Sequence, residues 1–147
     1  MKIVNLSETN SVVSKYIAQL RNITVQGNRL LFRKNLERIG MMMAYEISKT
    51  LDYSQKSIYT PLSECDVYTY DDKIVIGTVL RAGLALHEGF MQVFDDADAG
   101  FVAAFRKEDG KDISVQLDYL ASPNLDGKTF ILVDPMLATG KSFDIAY

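Results

Sequence analysis

The sequence is poor in residues that commonly announce chemistry. Among its 147 residues are one cysteine, one histidine and three prolines. Cys65 alone rules out an intrachain disulfide and a cysteine-based zinc site, and makes a reducing cytoplasm the natural setting. No apolar run approaches the roughly eighteen residues of a membrane span, so a spanning helix is excluded. Lys and Arg number 16 against 19 Asp and Glu, a net charge of −3. With no overall basic field, a nucleic-acid partner held by electrostatics is disfavoured, and anionic ligands have to be met by local clusters. The first residues, Met1 to Ser7, carry one positive charge and too short an apolar stretch for a secretory signal. Internal repeats and low-complexity linkers are also missing. The sole histidine, His87, lies among apolar and acidic neighbours and reads as structural or solvent-facing rather than as a general base.

What is present suffices for one globular domain: 48% of the residues are hydrophobic. Val13, Tyr16, Ile17 and Leu20 recur at helical spacing, and Phe32, Leu36, Ile39, Met43, Ile47 and Leu51 mark a second amphipathic helix ending near Thr50. Met41, Met42 and Met43 read as core filler. From Ser57 to Tyr70 a loose alternation suggests an irregular two-stranded ribbon. Asp71-Asp72-Lys73 reads as a solvated turn, and Ile74 to Leu80 as a buried strand. Helix-compatible residues run from Leu84 to Phe94, and the acidic stretch Asp95-Asp96-Ala-Asp98 reads as a solvated connection. Strands are predicted at Phe101–Arg106, Ile113–Leu120 and Thr129–Val133. Together these make an α/β domain with a mainly parallel sheet.

The richest segment is Ile131-Leu-Val-Asp134-Pro135-Met136-Leu137-Ala138-Thr139-Gly140-Lys141-Ser142. An apolar strand ends in a carboxylate and opens into a small-residue turn where a helix would begin. Unsatisfied N–H groups at a helix start, aided by the macrodipole, form an anion site. Asp134 is too close to welcome a bare phosphate, so a ligand with hydroxyls or a metal beside its phosphate is suggested, as in a phosphorylated sugar. Gly140-Lys141-Ser142 also nearly completes a nucleotide-triphosphatase loop, but that loop needs a glycine at Pro135, which has no N–H and cannot take positive φ. In α/β sheets ligands sit outside the carboxyl ends of the strands. Arg81, Arg106 and Asp134 each fall at the end of a predicted strand, which argues for a single site.

Asp134-Pro-Met-Leu-Ala-Thr-Gly140 resembles the phosphoribosyl diphosphate (PRPP) signature of uracil phosphoribosyltransferases. Leu80-Arg81-Ala82-Gly83-Leu84 is similar to that family's diphosphate loop, and Phe101-Val-Ala-Ala-Phe-Arg106-Lys-Glu108 to its next strand. The resemblance runs from about Arg29 to the last residue and is weakest between Ser54 and Lys73. Pro135 stands where many phosphoribosyltransferases place a second acid, as it does in the uracil branch. Lys141 departs from the family, which usually has glycine there; it either faces a phosphate or points to solvent.

The resemblance implies a phosphoribosyltransferase-like fold: N-terminal helices over 1–54, a β-ribbon arm over 55–73 and a PRPP-binding core over 74–147, in one domain whose C-terminal part is missing. It implies transfer of phosphoribose from PRPP to uracil, giving UMP and diphosphate. Arg81, Arg106 and Asp134 would be the catalytic residues. Arg81 and Arg106 would bind diphosphate. Asp134 would hold the ribose hydroxyls and favour positive charge developing on the sugar. Pro135, Met136, Leu137, Ala138, Thr139, Gly140, Lys141 and Ser142 would complete the PRPP site. Mg2+ would enter on PRPP, with no protein ligand of its own. Residues recognising uracil are expected beyond Tyr147. A homodimer or higher homo-oligomer is implied, the arm embracing a second subunit; an ordinary surface hairpin is the other reading. Alternatives for the whole chain are a non-catalytic or regulatory PRPP-binding relative and a P-loop-like nucleotide-binding domain.

Overall fold

A computed structural model of the protein describes residues 3–109 and 112–136, with side chains for all of these but 104–109 and 112–118. Helix α1 spans Val12–Arg21 and α2 spans Arg29–Ser48. Ser11 caps α1 by accepting the Val13 N–H, and Asn28 caps α2 by accepting the Leu31 N–H, each satisfying a donor the first turn leaves free. Val13 is buried and Ile17 half-buried, as the spacing predicts. On α2 the stripe differs at its start, where Phe32 is exposed and Asn35 is buried. Asn35 is held there by polar partners: its Nδ2 donates to Gln19 Oε1 (2.9 Å), and its Oδ1 accepts from Arg38 (3.1 Å). A buried amide with both ends bonded carries little penalty.

Strands β1 (Tyr53–Tyr59) and β2 (Glu64–Tyr70) pair antiparallel as a separate two-stranded sheet, in unbroken register from Tyr53↔Tyr70 to Tyr59↔Glu64. The ribbon is therefore regular and begins earlier than the alternation suggested. Its base is tied by the two aspartates read as a solvated turn. Asp71 accepts from Ser54 and from Lys56, while Asp72 accepts from the Asp52 N–H (3.1 Å) and from Thr129 Oγ1 (2.7 Å).

The main sheet has the order β5-β4-β3-β6. Its strands are β3 (Ile74–Leu80), β4 (Asp98–Asp109), β5 (Asp112–Ala121) and β6 (Thr129–Val133). β3 runs parallel to both β4 and β6, and β4 runs antiparallel to β5. Helix α3 (Leu84–Met91) joins β3 to β4. Ile74 to Val79 are all buried, which explains why this strand reads as a continuous apolar run. Ile74, Ile76, Ile131 and Val133 form one core with Ala44 of α2, Leu86 and Phe90 of α3, and Phe94. Gly40 lets α2 approach α3 closely: a Cβ there would stand 2.5 Å from the Leu86 carbonyl oxygen.

Candidate active site

The chain leaves β3 through α3 to reach β4 on one side, whereas β6 lies on the other. Such a reversal of strand order opens a crevice at the carboxyl ends of the two diverging strands. The pairing Thr78↔Val133 brings the end of β6 level with the end of β3. Two connections meet at that edge: the loop Arg81-Ala82-Gly83 and the turn that starts at Asp134.

Their meeting point is Gly83. A Cβ on this residue would lie 2.6 Å from the Val79 carbonyl oxygen, 2.7 Å from Thr78 Cγ2 and 3.3 Å from the Val133 carbonyl oxygen. Without a side chain the loop folds back onto the ends of both strands. The Gly83 N–H donates to the Val79 carbonyl (3.0 Å) and the Leu84 N–H to the Arg81 carbonyl (3.3 Å). The Leu80–Arg81 peptide is cis. Arg81 and Ala82 are exposed, and no side chain caps the first turn of α3, which starts after Gly83. An exposed guanidinium beside an uncapped helix start suits an anion such as diphosphate.

Asp134 follows β6 directly and is half-buried. Its Oδ1 accepts the Met136 N–H at 3.2 Å, a turn in which the carboxylate is held by the backbone it precedes. Pro135 is half-buried and Met136 exposed. Leu137, Ala138, Thr139, Gly140, Lys141 and Ser142 lie outside the described residues.

Arg106 differs from its expected position. β4 does not end there but continues to Asp109, with Arg106 opposite Val115 of β5. β4 leaves β3 after Ala103, the register partner of Leu80, and an irregularity between Ala103 and Ala104 marks the departure. Arg106 thus lies on a hairpin roughly 10 Å past the sheet edge, three residues at strand rise. The polar run Lys107 to Asp109 stays extended because β5 pairs with it residue by residue.

His87 is structural and does not face solvent. It is 6% exposed, with Nδ1 2.8 Å from Oγ1 of fully buried Thr78 and its ring 5.2 Å from that of Phe101. Burial pushes its pKa below the ordinary value of 6.5, against a smaller opposing effect of Glu88. Thr78 carried one signal in the sequence: it is the sole polar side chain in the run Ile74–Leu80. Among the described residues no group of three or more His, Cys, Asp or Glu could hold a metal ion. Among the described residues no helix is long and apolar enough to cross a membrane.

A family model for uracil phosphoribosyltransferase matches residues 7–146. The chain is 41% identical over 148 residues to a uracil phosphoribosyltransferase of Porphyromonas gingivalis, covering 100% of this chain and 68% of that protein. It is 40% identical over 113 residues to one of Methanothermobacter thermautotrophicus, covering 76% and 52%. Among solved structures, the AQ2163 protein of Aquifex aeolicus superposes with a TM-score of 0.83 at 29% identity, over 94% of this chain and 65% of that one. A hypoxanthine phosphoribosyltransferase of Staphylococcus aureus gives 0.53 at 14% identity, a likeness of fold alone. The chain therefore spans between about half and two thirds of the length of the proteins it matches.

Proposed function

The chain belongs to the uracil phosphoribosyltransferase family, and from that premise we propose that it is the PRPP-binding part of an enzyme making UMP from uracil and PRPP. The family match displaces the triphosphatase-loop alternative. In the reaction, N1 of uracil bonds to the anomeric carbon as the bond from that carbon to diphosphate breaks. The N1 proton is lost, and diphosphate leaves with the electron pair.

The roles follow from charge. Arg81 neutralises the departing diphosphate through charge-assisted, bidentate hydrogen bonds. Arg106 reaches the same group from the β4–β5 hairpin, of its own chain or of a neighbouring copy. Asp134 accepts the ribose hydroxyls and stabilises positive charge on the sugar without forming a bond to it. Pro135 and Met136 lead into residues 137–142, which hold the 5-phosphate. Magnesium, when bound to the diphosphate, adds further neutralisation.

The observation that carries this reading is the approach of Gly83 to the Val133 carbonyl, which joins the loop of one signature to the strand end of the other. An exposed ribbon tipped by Tyr59 and Leu62 suits contact with a second copy, and we assign it to a homodimer. An exposed, unpaired Cys65 fits a cytoplasmic setting.

Calorimetric titration with PRPP and magnesium, followed by assay with uracil against hypoxanthine, tests the proposal. Saturable PRPP binding is expected of this chain, and UMP formation from uracil in preference to hypoxanthine of the complete enzyme that contains it. A folded chain that ignores PRPP, or a preference for hypoxanthine, would overturn it.

A further inference from the structure

We propose that the buried Thr78–His87 hydrogen bond is a positioning device that sets the arginine loop over the crevice. The inference rests on the reading of that loop as the diphosphate site. Ile74, Ile76 and Thr78 share one face of β3, and the first two belong to the same buried cluster as Leu86 and Phe90 of α3. Thr78 continues the row and meets His87 instead of an apolar side chain, at 2.8 Å. Both are removed from water, Thr78 completely. A hydroxyl and an imidazole so buried would each be unfavourable alone, and each satisfies the other.

The pair brackets the loop. Thr78 is on the strand that enters it, and its Cγ2 lies against Gly83. His87 is in the first turn of the helix that leaves it, and its N–H donates to the Gly83 carbonyl at 2.8 Å. Burial of Leu86 and Phe90 is non-directional and tolerates sliding of α3 along the sheet. A hydrogen bond between one atom of β3 and one of α3 does not, because it weakens steeply with distance and angle. The bond therefore selects one placement of α3 on β3, and with it one placement of Arg81 relative to Asp134. His87, kept neutral near pH 7 by burial, acts through geometry and not through charge.

Replacing both partners of a buried hydrogen bond by apolar groups of similar shape is close to neutral for folding. The double variant Thr78→Val with His87→Leu therefore separates positioning from stability. Wild type, this double variant and His87→Asn, which keeps a polar atom at the Nδ1 position, are titrated calorimetrically with magnesium pyrophosphate and, separately, with ribose 5-phosphate. Far-UV circular dichroism checks folding. The double variant is expected to bind pyrophosphate about ten- to hundredfold more weakly, the scale of a misplaced binding group, with ribose 5-phosphate binding unchanged. His87→Asn is expected to stay near wild type and takes over the test, against His87→Leu, if the double variant does not fold. Equal binding of pyrophosphate by all variants, or parallel loss of both ligands, would overturn the proposal alone. A wild-type chain that binds neither ligand overturns it together with the reading beneath it.

Discussion

Gly89 of α3 lies so close to the backbone of Glu37 in α2 that a Cβ on it would stand 2.0 Å from the Glu37 carbonyl oxygen. With the matching approach at Gly40, this crossing sets how deeply α3, and so the arginine loop at its start, is pressed onto the sheet. Glycine to alanine inside a helix ordinarily stabilises by roughly 0.5–1 kcal/mol. Here the new methyl meets backbone, which cannot rotate away. Gly89→Ala is expected to destabilise by about 1–3 kcal/mol, as overpacked cores do, read from the urea midpoint at unchanged m-value. A midpoint equal to or above wild type would show that the two helices can part without penalty.

In the complete enzyme, Arg81→Ala and Asp134→Asn are expected to lower UMP formation by a hundredfold or more, on the order seen when one transition-state contact is removed. The two should differ in binding. Arg81→Ala weakens pyrophosphate, whereas Asp134→Asn preserves shape and weakens ligands that carry ribose hydroxyls. Near-normal turnover in both variants would remove these residues from the site.

Acid should loosen the fold through His87. Its pKa is depressed in the folded state and returns to about 6.5 on unfolding, so below that value the unfolded chain binds more protons. The contribution is full above pH 6.5 and is lost as pH falls toward the folded value. Unfolding midpoints should drop between pH 7.5 and 5.5 in wild type, and drop less in His87→Leu. Parallel pH profiles for the two proteins would contradict this linkage.

The ribbon offers a separate test. Leu62 is 97% exposed and Tyr59 84%, so replacing both with serine removes apolar surface without touching the core. Unfolding of the isolated subunit should be unchanged within about 0.5 kcal/mol, the usual range for surface changes. Self-association by sedimentation should weaken at least tenfold if the arm supplies an interface anchor. Identical association constants would show that the ribbon tip takes no part.

Much of the fold was legible locally. Ile74–Leu80 and Thr129–Val133 were read at the bounds they hold in three dimensions, because each is a mainly apolar run set between turn residues, β3 buried nearly throughout and β6 buried at Ile131 and Val133. Both opening helices followed from 3.6-residue spacing, although Asn35 displaced Phe32 from the inner face once Gln19 and Arg38 supplied it with partners. β4 was read too short, since Lys107 to Asp109 look like a turn until an antiparallel neighbour pairs with them. Asp72 looked solvated because the two groups it accepts from, the Asp52 N–H and the Thr129 hydroxyl, lie in other elements.

The order of amino acids alone determined the element types, the arginine loop, the carboxylate after the last described strand and the family they resemble. Each depends on neighbours within a few positions, where periodicity and turn chemistry operate. Only the tertiary structure decided that β6 settles beside β3 rather than beyond β4, that a side chain at Gly83 would crowd the Val133 carbonyl, and that Thr78 and His87 satisfy each other out of water. Those outcomes depend on which distant surfaces exclude water together, and burial by itself carries no address in the chain.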